Sequence, residues 1–79
     1  MPQFTKFEAL IIEHLSDGQA HLKADIVESV GLRGTSSVLL SMHISNIRKK
    51  INPQGHEIIC EYAHGRTYYR HVRLLHSPD

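Results

Sequence analysis

The chain has 79 residues, a net charge of +1 at pH 7 and a single cysteine, Cys60. This length supports one small domain with a modest core, and one cysteine excludes an intramolecular disulfide. No apolar run approaches the ~20 residues of a membrane span, and the first residues lack the pattern of a signal peptide, so we expect a cytoplasmic protein with no membrane role.

A capping box predicts where the first helix begins. Thr5 and Glu8 are three residues apart, so the hydroxyl and the carboxylate can each accept a hydrogen bond from the other residue's backbone N–H. Apolar residues then recur at helical spacing, and Gly18 follows as a stop signal. The first helix is therefore expected at about residues 6–16.

Two more helices are expected after it. Residues 19–22 are long enough only for a bridging strand, and the next helix is predicted at about residues 23–30, where Gly31 ends it. Thr and Ser residues then offer N-caps for a third helix at about residues 36–51. Residues 52–55, Asn-Pro-Gln-Gly, break that helix.

β-Branched and aromatic residues dominate the remaining sequence. They fall in two runs, residues 58–62 and 67–74, separated by a four-residue turn at 63–66, which is the pattern of a β-hairpin. Helix, short strand, helix, helix and hairpin is the order of a winged helix-turn-helix. We therefore predict an α+β fold in which residues 1–79 form one domain, with three helices and a C-terminal β-hairpin wing at about residues 57–75.

The predicted third helix has two different faces. At about 100° per residue, four apolar side chains form one stripe, which we expect in the core: Leu40, Ile44, Ile47 and Ile51. The opposite face carries the candidates for base contact in a DNA major groove: Ser41, Met42, Ser45 and Asn46. Asn can bond to adenine, Ser to several base edges, and an apolar side chain can contact the thymine methyl group. The alternative for Ser45 and Asn46 is plain solvent exposure, and Met42 and Val38 would instead pack against the second helix.

Basic residues concentrate in the two segments that we place on DNA. Residues 1–36 carry three basic and five acidic side chains, whereas residues 37–75 carry six basic and two acidic ones. The candidates for phosphate contact are Ser37, Arg48, Lys49, Lys50 and Tyr68. The alternatives are an unevenly charged solvated surface, interaction of the helix-terminal cations with the helix dipole, and a core position for Tyr68.

The hairpin turn adds a basic tip. Gly65 permits positive φ there, and His64 and Arg66 flank it. Arginine is favoured in narrow A·T-rich minor grooves, where the negative potential is strongest. Histidine side chains take up a proton around pH 6.5, so His64 and His43 are expected to make DNA binding tighter at about pH 6 than at about pH 8.

Two segments resemble motifs of a known family. Residues 42–51 run Met-His-Ile-Ser-Asn-Ile-Arg-Lys-Lys-Ile, and residues 64–68 run His-Gly-Arg-Thr-Tyr. They are similar to Val-His-Ile-x-x-Leu-Arg-Lys-x-Leu and Arg-Gly-x-Gly-Tyr in the third helix and wing of OmpR/PhoB-type response-regulator DNA-binding domains, and a weaker match covers residues 5–74. The resemblance implies a winged-helix fold and sequence-specific DNA binding. It also implies that the positions of Met42, Ser45, Asn46 and Arg48 face DNA, with Tyr68 near phosphate.

The chain departs from the family pattern at several positions. His64 replaces the family's wing arginine, Thr67 its second glycine, and Ser45 and Asn46 its arginine-prone groove positions. Base preference is therefore not implied. The sequence shows neither a receiver domain nor the family's small N-terminal sheet, so we expect a stand-alone module without phosphorylation control. The family's contact with RNA polymerase is left open, because the segment between the second and third helices is short.

Metal binding and catalysis are not expected. None of the seven histidines forms the i, i+4 pair of a zinc helix, and Cys60 has no neighbouring ligand at zinc-finger spacing. The sequence offers no convincing nucleophile–base pair or phosphate loop, so we expect no enzyme, no cofactor and no metal. Cys60, in an apolar strand, is expected to be a buried small hydrophobic residue.

The main hypothesis is a transcription regulator, bacterial or from a mobile element, that binds double-stranded DNA sequence-specifically, either as a homodimer or in tandem. The alternative is a winged-helix protein-interaction module that docks through an apolar patch of Val38, Leu39 and Met42. Salt separates the two hypotheses, because phosphate contacts weaken as salt rises and an apolar interface barely responds.

Overall fold

The computed structural model describes residues 3–30 and 37–74, without the side chains of Ser37 and Val38. Its helices are α1 (Lys6–His14), α2 (Lys23–Ser29) and α3 (Ser37–Ile51), and its strands are β1 (His21–Leu22), β2 (His56–Ala63) and β3 (Arg66–Arg73). The strands form an antiparallel sheet in the order β1-β3-β2, and a 3-10 turn, Asn52–Gln54, links α3 to β2. This is the predicted α+β winged helix-turn-helix. Within the described residues, no helix has the length and apolarity needed to cross a membrane.

α1 begins at the predicted capping box. The Glu8 N–H donates to Thr5 Oγ1 at 3.2 Å, and the Thr5 N–H donates to Glu8 Oε1 at 2.9 Å. The helix was predicted to end at Ser16 but ends at His14. The Leu15 N–H is shared between the Ile11 and Ile12 carbonyls, and the Ser16 N–H donates to the Glu13 carbonyl, three positions back. The chain therefore tightens into a turn before it reaches the predicted end.

The elements between α1 and the wing follow the predicted order. The strand expected in residues 19–22 is β1, whose two residues pair with β3. α2 ends at Ser29, one residue before the predicted end. The expected stop signal, Gly31, and the expected start of the third helix at residue 36 lie outside the described residues. α3 ends at Ile51 as predicted, since Pro53 has no N–H to continue the helix.

The hairpin turn is shorter than predicted. Ala63 and Arg66 pair as the last residue of β2 and the first of β3, so the turn comprises His64 and Gly65 instead of four residues. Both turn residues have positive φ, 54° and 72°, as a two-residue turn that matches the strand twist requires. β2 begins at His56, one residue before the predicted wing, and the predicted wing end at residue 75 lies outside the described residues.

The core lies between the helices and the sheet. Its buried apolar side chains are Ile11, Leu15, Ile26, Val30, Leu40, Ile44, Ile47, Ile51, Ile58 and Tyr69. All four residues of the predicted α3 stripe are among them, so that prediction is confirmed. Because one face of α3 is buried in this way, the opposite face is directed to solvent.

Cys60 is exposed, so its predicted burial is wrong. It shares a face of β2 with the buried Ile58, because alternate strand residues point the same way. However, β2 is an edge strand, and exposure along it increases toward the turn and reaches 79% at Tyr62. An apolar strand sequence therefore implies burial only where the helices cover the hairpin.

Candidate nucleic-acid interface

The outward face of α3 consists of five exposed side chains: Ser41, Met42, Ser45, Asn46 and Lys49. It includes all four residues predicted to contact bases. Met42 is 50% exposed, which argues against the alternative that it packs under α2, while the side chain of Val38 lies outside the described residues. Short polar groups around one apolar side chain, on a helix fixed from behind by its core stripe, match what a major groove accepts.

Arg48 does not extend freely into solvent. Its Nε donates to Glu57 Oε1 at 2.6 Å and its Nη2 donates to Glu57 Oε2 at 3.2 Å, so the pair is bidentate. The hydrogen bond from Arg48 lowers the pKa of Glu57, and the same bond raises the pKa of Arg48. Arg48, which was predicted to contact phosphate, is therefore joined to the start of the wing strand β2.

Lys50 is directed to the other side of the helix. Its Nζ donates to Glu8 Oε1 at 2.5 Å and to the Gln3 carbonyl at 2.9 Å, and it lies 5.6 Å from the centre of the Phe4 ring. Burial opposes ionisation of Glu8, but the hydrogen bonds from Lys50 and Thr5 hold its pKa below the usual value. Of the three consecutive cations that end α3, Lys49 is the one without a partner in the described part of the chain.

The wing tip presents positive charge at its end. His64, Gly65 and Arg66 are all exposed, and Arg66 has no ion-pair partner among residues 3–30 and 37–74. Further from the tip, Arg70 is paired with Glu61 at 2.6 Å. The structure therefore brings the predicted tip residues together, with His64 and Gly65 in the turn and Arg66, at the start of β3, as their permanent charge.

The wing tyrosines occupy three different environments. Tyr69 is 7% exposed and faces the helices, whereas Tyr68 is half-buried on the opposite face of the sheet, next to Leu22. The phosphate contact of Tyr68 stays a prediction. Tyr62 is 79% exposed and pairs with Thr67 beside the turn. It is a candidate contact residue that the sequence pattern does not mark, because only the strand register shows that it lies beyond the helices.

The histidines contribute contacts that sequence spacing does not reveal. The His43 ring lies 5.6 Å from that of Phe7, so it is directed to α1 and away from the outward face. At the base of the wing, His56 Nδ1 and His71 Nε2 are 3.1 Å apart and can share a proton. Burial, and then the charge of His56, lowers the pKa of His71. Among the described residues, no three His, Cys, Asp or Glu side chains form a group that could hold a metal ion.

Comparison with known proteins supports the fold and goes no further. No family model and no curated protein matches the sequence. Among solved structures, the chain is similar to a chain of a structure titled "Nse1-Nse3-Nse4 complex", with a TM-score of 0.72 and 14% sequence identity. The similarity covers 98% of this chain and 37% of that one, so this chain spans little more than a third of its length. The molecule is a winged-helix domain by its architecture, and at this identity the likeness concerns the fold alone.

Proposed function

We propose that the protein binds double-stranded DNA sequence-specifically and regulates transcription, with α3 in the major groove and the wing tip on the backbone or in the minor groove. The observation that carries this proposal is the outward face of α3, exposed along its length and followed by a wing that ends in Arg66. A helix with a buried apolar stripe and short polar groups opposite is the kind of element that reads base edges.

Each side chain of the proposed interface has a distinct task. Asn46 can bond to adenine N6 and N7, Ser45 can bond to a neighbouring base edge, and Met42 can contact a thymine methyl group. Lys49 binds phosphate in this arrangement, because it is the cation of the α3 terminus that has no ion-pair partner among the described residues. Arg66 lies where a wing can reach a narrow minor groove. Ser37 stays a candidate for phosphate contact, although its side chain lies outside the described residues.

The resemblance to OmpR/PhoB-type DNA-binding domains belongs to this proposal. It is supported by the motif at residues 42–51, in which the three isoleucines are buried in the core while Ser45 and Asn46 are exposed on the opposite face. A single module of this size makes few base contacts, so we infer that the protein binds repeated half-sites as a homodimer or in tandem. A contact with RNA polymerase would have to use the segment between α2 and α3, most of which lies outside the described residues.

A protein-interaction module is the second candidate. Met42 is 50% exposed on α3, and Leu39 is only partly buried against the core. The solved structure to which the chain is similar is, by its title, a complex of named proteins. A docking surface around Val38, Leu39 and Met42 would overlap the proposed DNA face, so the two functions exclude each other on this side of α3.

One experiment separates the candidates. A duplex is selected from random sequences, and its dissociation constant is measured by fluorescence anisotropy over a range of salt concentrations. DNA binding through several phosphates should lose affinity linearly in log salt, with a slope of about −0.9 for each phosphate neutralised. Failure to select any duplex, or an affinity that does not respond to salt, would refute the proposal and favour the apolar docking surface.

Two substitutions then test the assignment of the residues. Asn46→Ala should relax the preference at one base pair, worth about 1–3 kcal/mol of discrimination. Lys49→Ala should weaken all sequences alike and reduce the salt slope by about 0.9. If both variants bind like the parent, α3 is not the recognition helix.

A further inference from the structure

The ion pair between Arg48 and Glu57 joins the recognition helix to the wing. Arg48 follows Ser45 by three residues, so the two side chains are neighbours on the surface of α3. The guanidinium is nevertheless turned to the start of β2, where both Glu57 oxygens accept its hydrogen bonds. A side chain that could extend the outward face of α3 is thus held at its border by a carboxylate.

The environment of this pair permits exchange of the anion. The Arg48 side chain is 50% exposed and that of Glu57 19% exposed, so water and salt reach the contact. An ion pair whose cation is half-exposed is screened by water and salt, so its net contribution to stability is small. A DNA phosphate offers the guanidinium the same planar arrangement of two acceptor oxygens that the carboxylate offers.

Glu57 would not be left without hydrogen bonds by the exchange. Its Oε1 also accepts the backbone N–H of Ile58 at 2.8 Å. The carboxylate therefore keeps a donor and partial solvent access when the arginine moves. By contrast, Lys50 has no such freedom, because its partner Glu8 is 3% exposed and would be left buried without its cation.

We propose that Glu57 limits the affinity for DNA by competing with phosphate for Arg48, which changes partner when α3 enters the major groove. This inference rests on the proposed function and adds a residue that acts through another one. Glu57 touches no DNA in this arrangement. It positions Arg48, and it lowers the number of cations that the free protein offers to the duplex.

The test uses the complete chain and the selected duplex. Glu57→Gln keeps the carbonyl oxygen for the Ile58 N–H and removes the charge that holds Arg48. We expect the variant to bind about two- to fivefold more tightly, the range that corresponds to the strength of an exposed ion pair. The salt slope should steepen by up to about 0.9, if Arg48 then binds one more phosphate fully.

The matched control is Glu13→Gln, which changes the net charge by the same amount at an exposed site on α1, where Glu13 holds none of the arginines that the structure describes. It should gain less affinity and leave the salt slope unchanged. When Glu57→Gln is added to Arg48→Gln, the affinity should not rise further, because the cation for which Glu57 competes with phosphate is gone. A gain that persists without Arg48 would refute its role.

The outcomes distinguish this inference from the function on which it rests. If the parent binds DNA and Glu57→Gln binds equally or more weakly, Glu57 orients Arg48 for DNA instead of competing for it, and the inference is wrong while the function stands. If the parent binds no duplex, both fall. Should Glu57→Gln lose its helical circular dichroism, Glu57→Asp replaces it and is compared with the parent at equal net charge. Its carboxylate is too short for the bidentate contact with Arg48, so it should bind DNA more tightly than the parent, and an equal or weaker affinity would overturn the inference.

Discussion

At the junction of α1 with α3, the Glu8 side chain is 3% exposed, and its carboxylate accepts hydrogen bonds from Lys50 and Thr5. In the wing, Glu57 and Glu61 instead meet arginines that are 50% and 38% exposed. A buried carboxylate depends on its cation, because no water replaces that cation when it is removed. By contrast, opening an exposed ion pair costs the fold little free energy, because water solvates both charges. Neighbouring cations of one helix therefore differ in what they can do: Lys50 holds the fold together, and the pairs of the wing are available for exchange.

The largest expected effect breaks the junction. Lys50→Ala should lower the free energy of unfolding by about 3 kcal/mol, because it leaves Glu8 buried without its cation. Arg48→Ala removes a cation of the same helix two residues earlier and should cost at most about 1 kcal/mol. Urea unfolding followed by circular dichroism measures both values.

The control for this prediction separates charge from packing. Lys50→Met keeps an aliphatic stem beside Phe4 and removes the ammonium group. Its free energy of unfolding should therefore fall by most of the amount lost in Lys50→Ala. Equal losses in Lys50→Ala and Arg48→Ala would contradict the difference between the junction and the wing. A stable Lys50→Met would instead assign the loss to packing of the stem.

A smaller effect on stability is expected at the start of the wing, where the imidazole rings of His56 and His71 face each other instead of a carboxylate and a cation. The folded state holds the pKa of His71 below its ordinary value of 6.5. The unfolded chain therefore binds more protons as the pH falls through 6.5, so this contribution to stability is complete above that pH and is lost below it. Urea midpoints should be lower at about pH 5.5 than at about pH 7.5.

His71→Gln is the matched variant for this step. It removes the titrating group but keeps a side chain that can hydrogen-bond to His56. The difference between the two pH values should shrink in this variant. An unchanged difference would place the responsible group elsewhere, and Asp17 and Glu8 would not replace it, because their lowered pKa values move their contribution to more acidic solution.

Local signals predicted most of the fold, and long-range contacts escaped prediction. The capping box of Thr5 and Glu8 and the α3 stripe depend on spacings of three or four residues, so the sequence alone reveals them. The same sequence does not show that Lys50 meets Glu8, a residue 42 positions away, because only the packing of α3 on α1 brings them together. The exposure of Cys60 was mispredicted for the same reason, since it depends on how far the helices cover the hairpin.

In the candidate site too, local spacing was predictable from the sequence and long-range contacts were not. Helical periodicity correctly placed Ser45 and Asn46 on the exposed side of α3, opposite residues that are buried. The pairs of Arg48 and Arg70 with strand glutamates were not predicted, because they depend on the hairpin register and on the position of β2 beside α3. Charge counts from sequence therefore overstate the cations that the described surface offers to DNA.

The smallest effect on stability is expected at the wing tip, where His64 has a left-handed φ of 54° before Gly65. His64→Asn should stabilise the fold by about 0.5 kcal/mol, because asparagine tolerates this conformation and Asn-Gly is favoured in such turns. Thermal unfolding should show a midpoint about 2–4 °C higher. If His64 is the source of the tighter DNA binding expected at about pH 6, that effect should disappear in this variant. If the pH dependence persists, His64 is not its source.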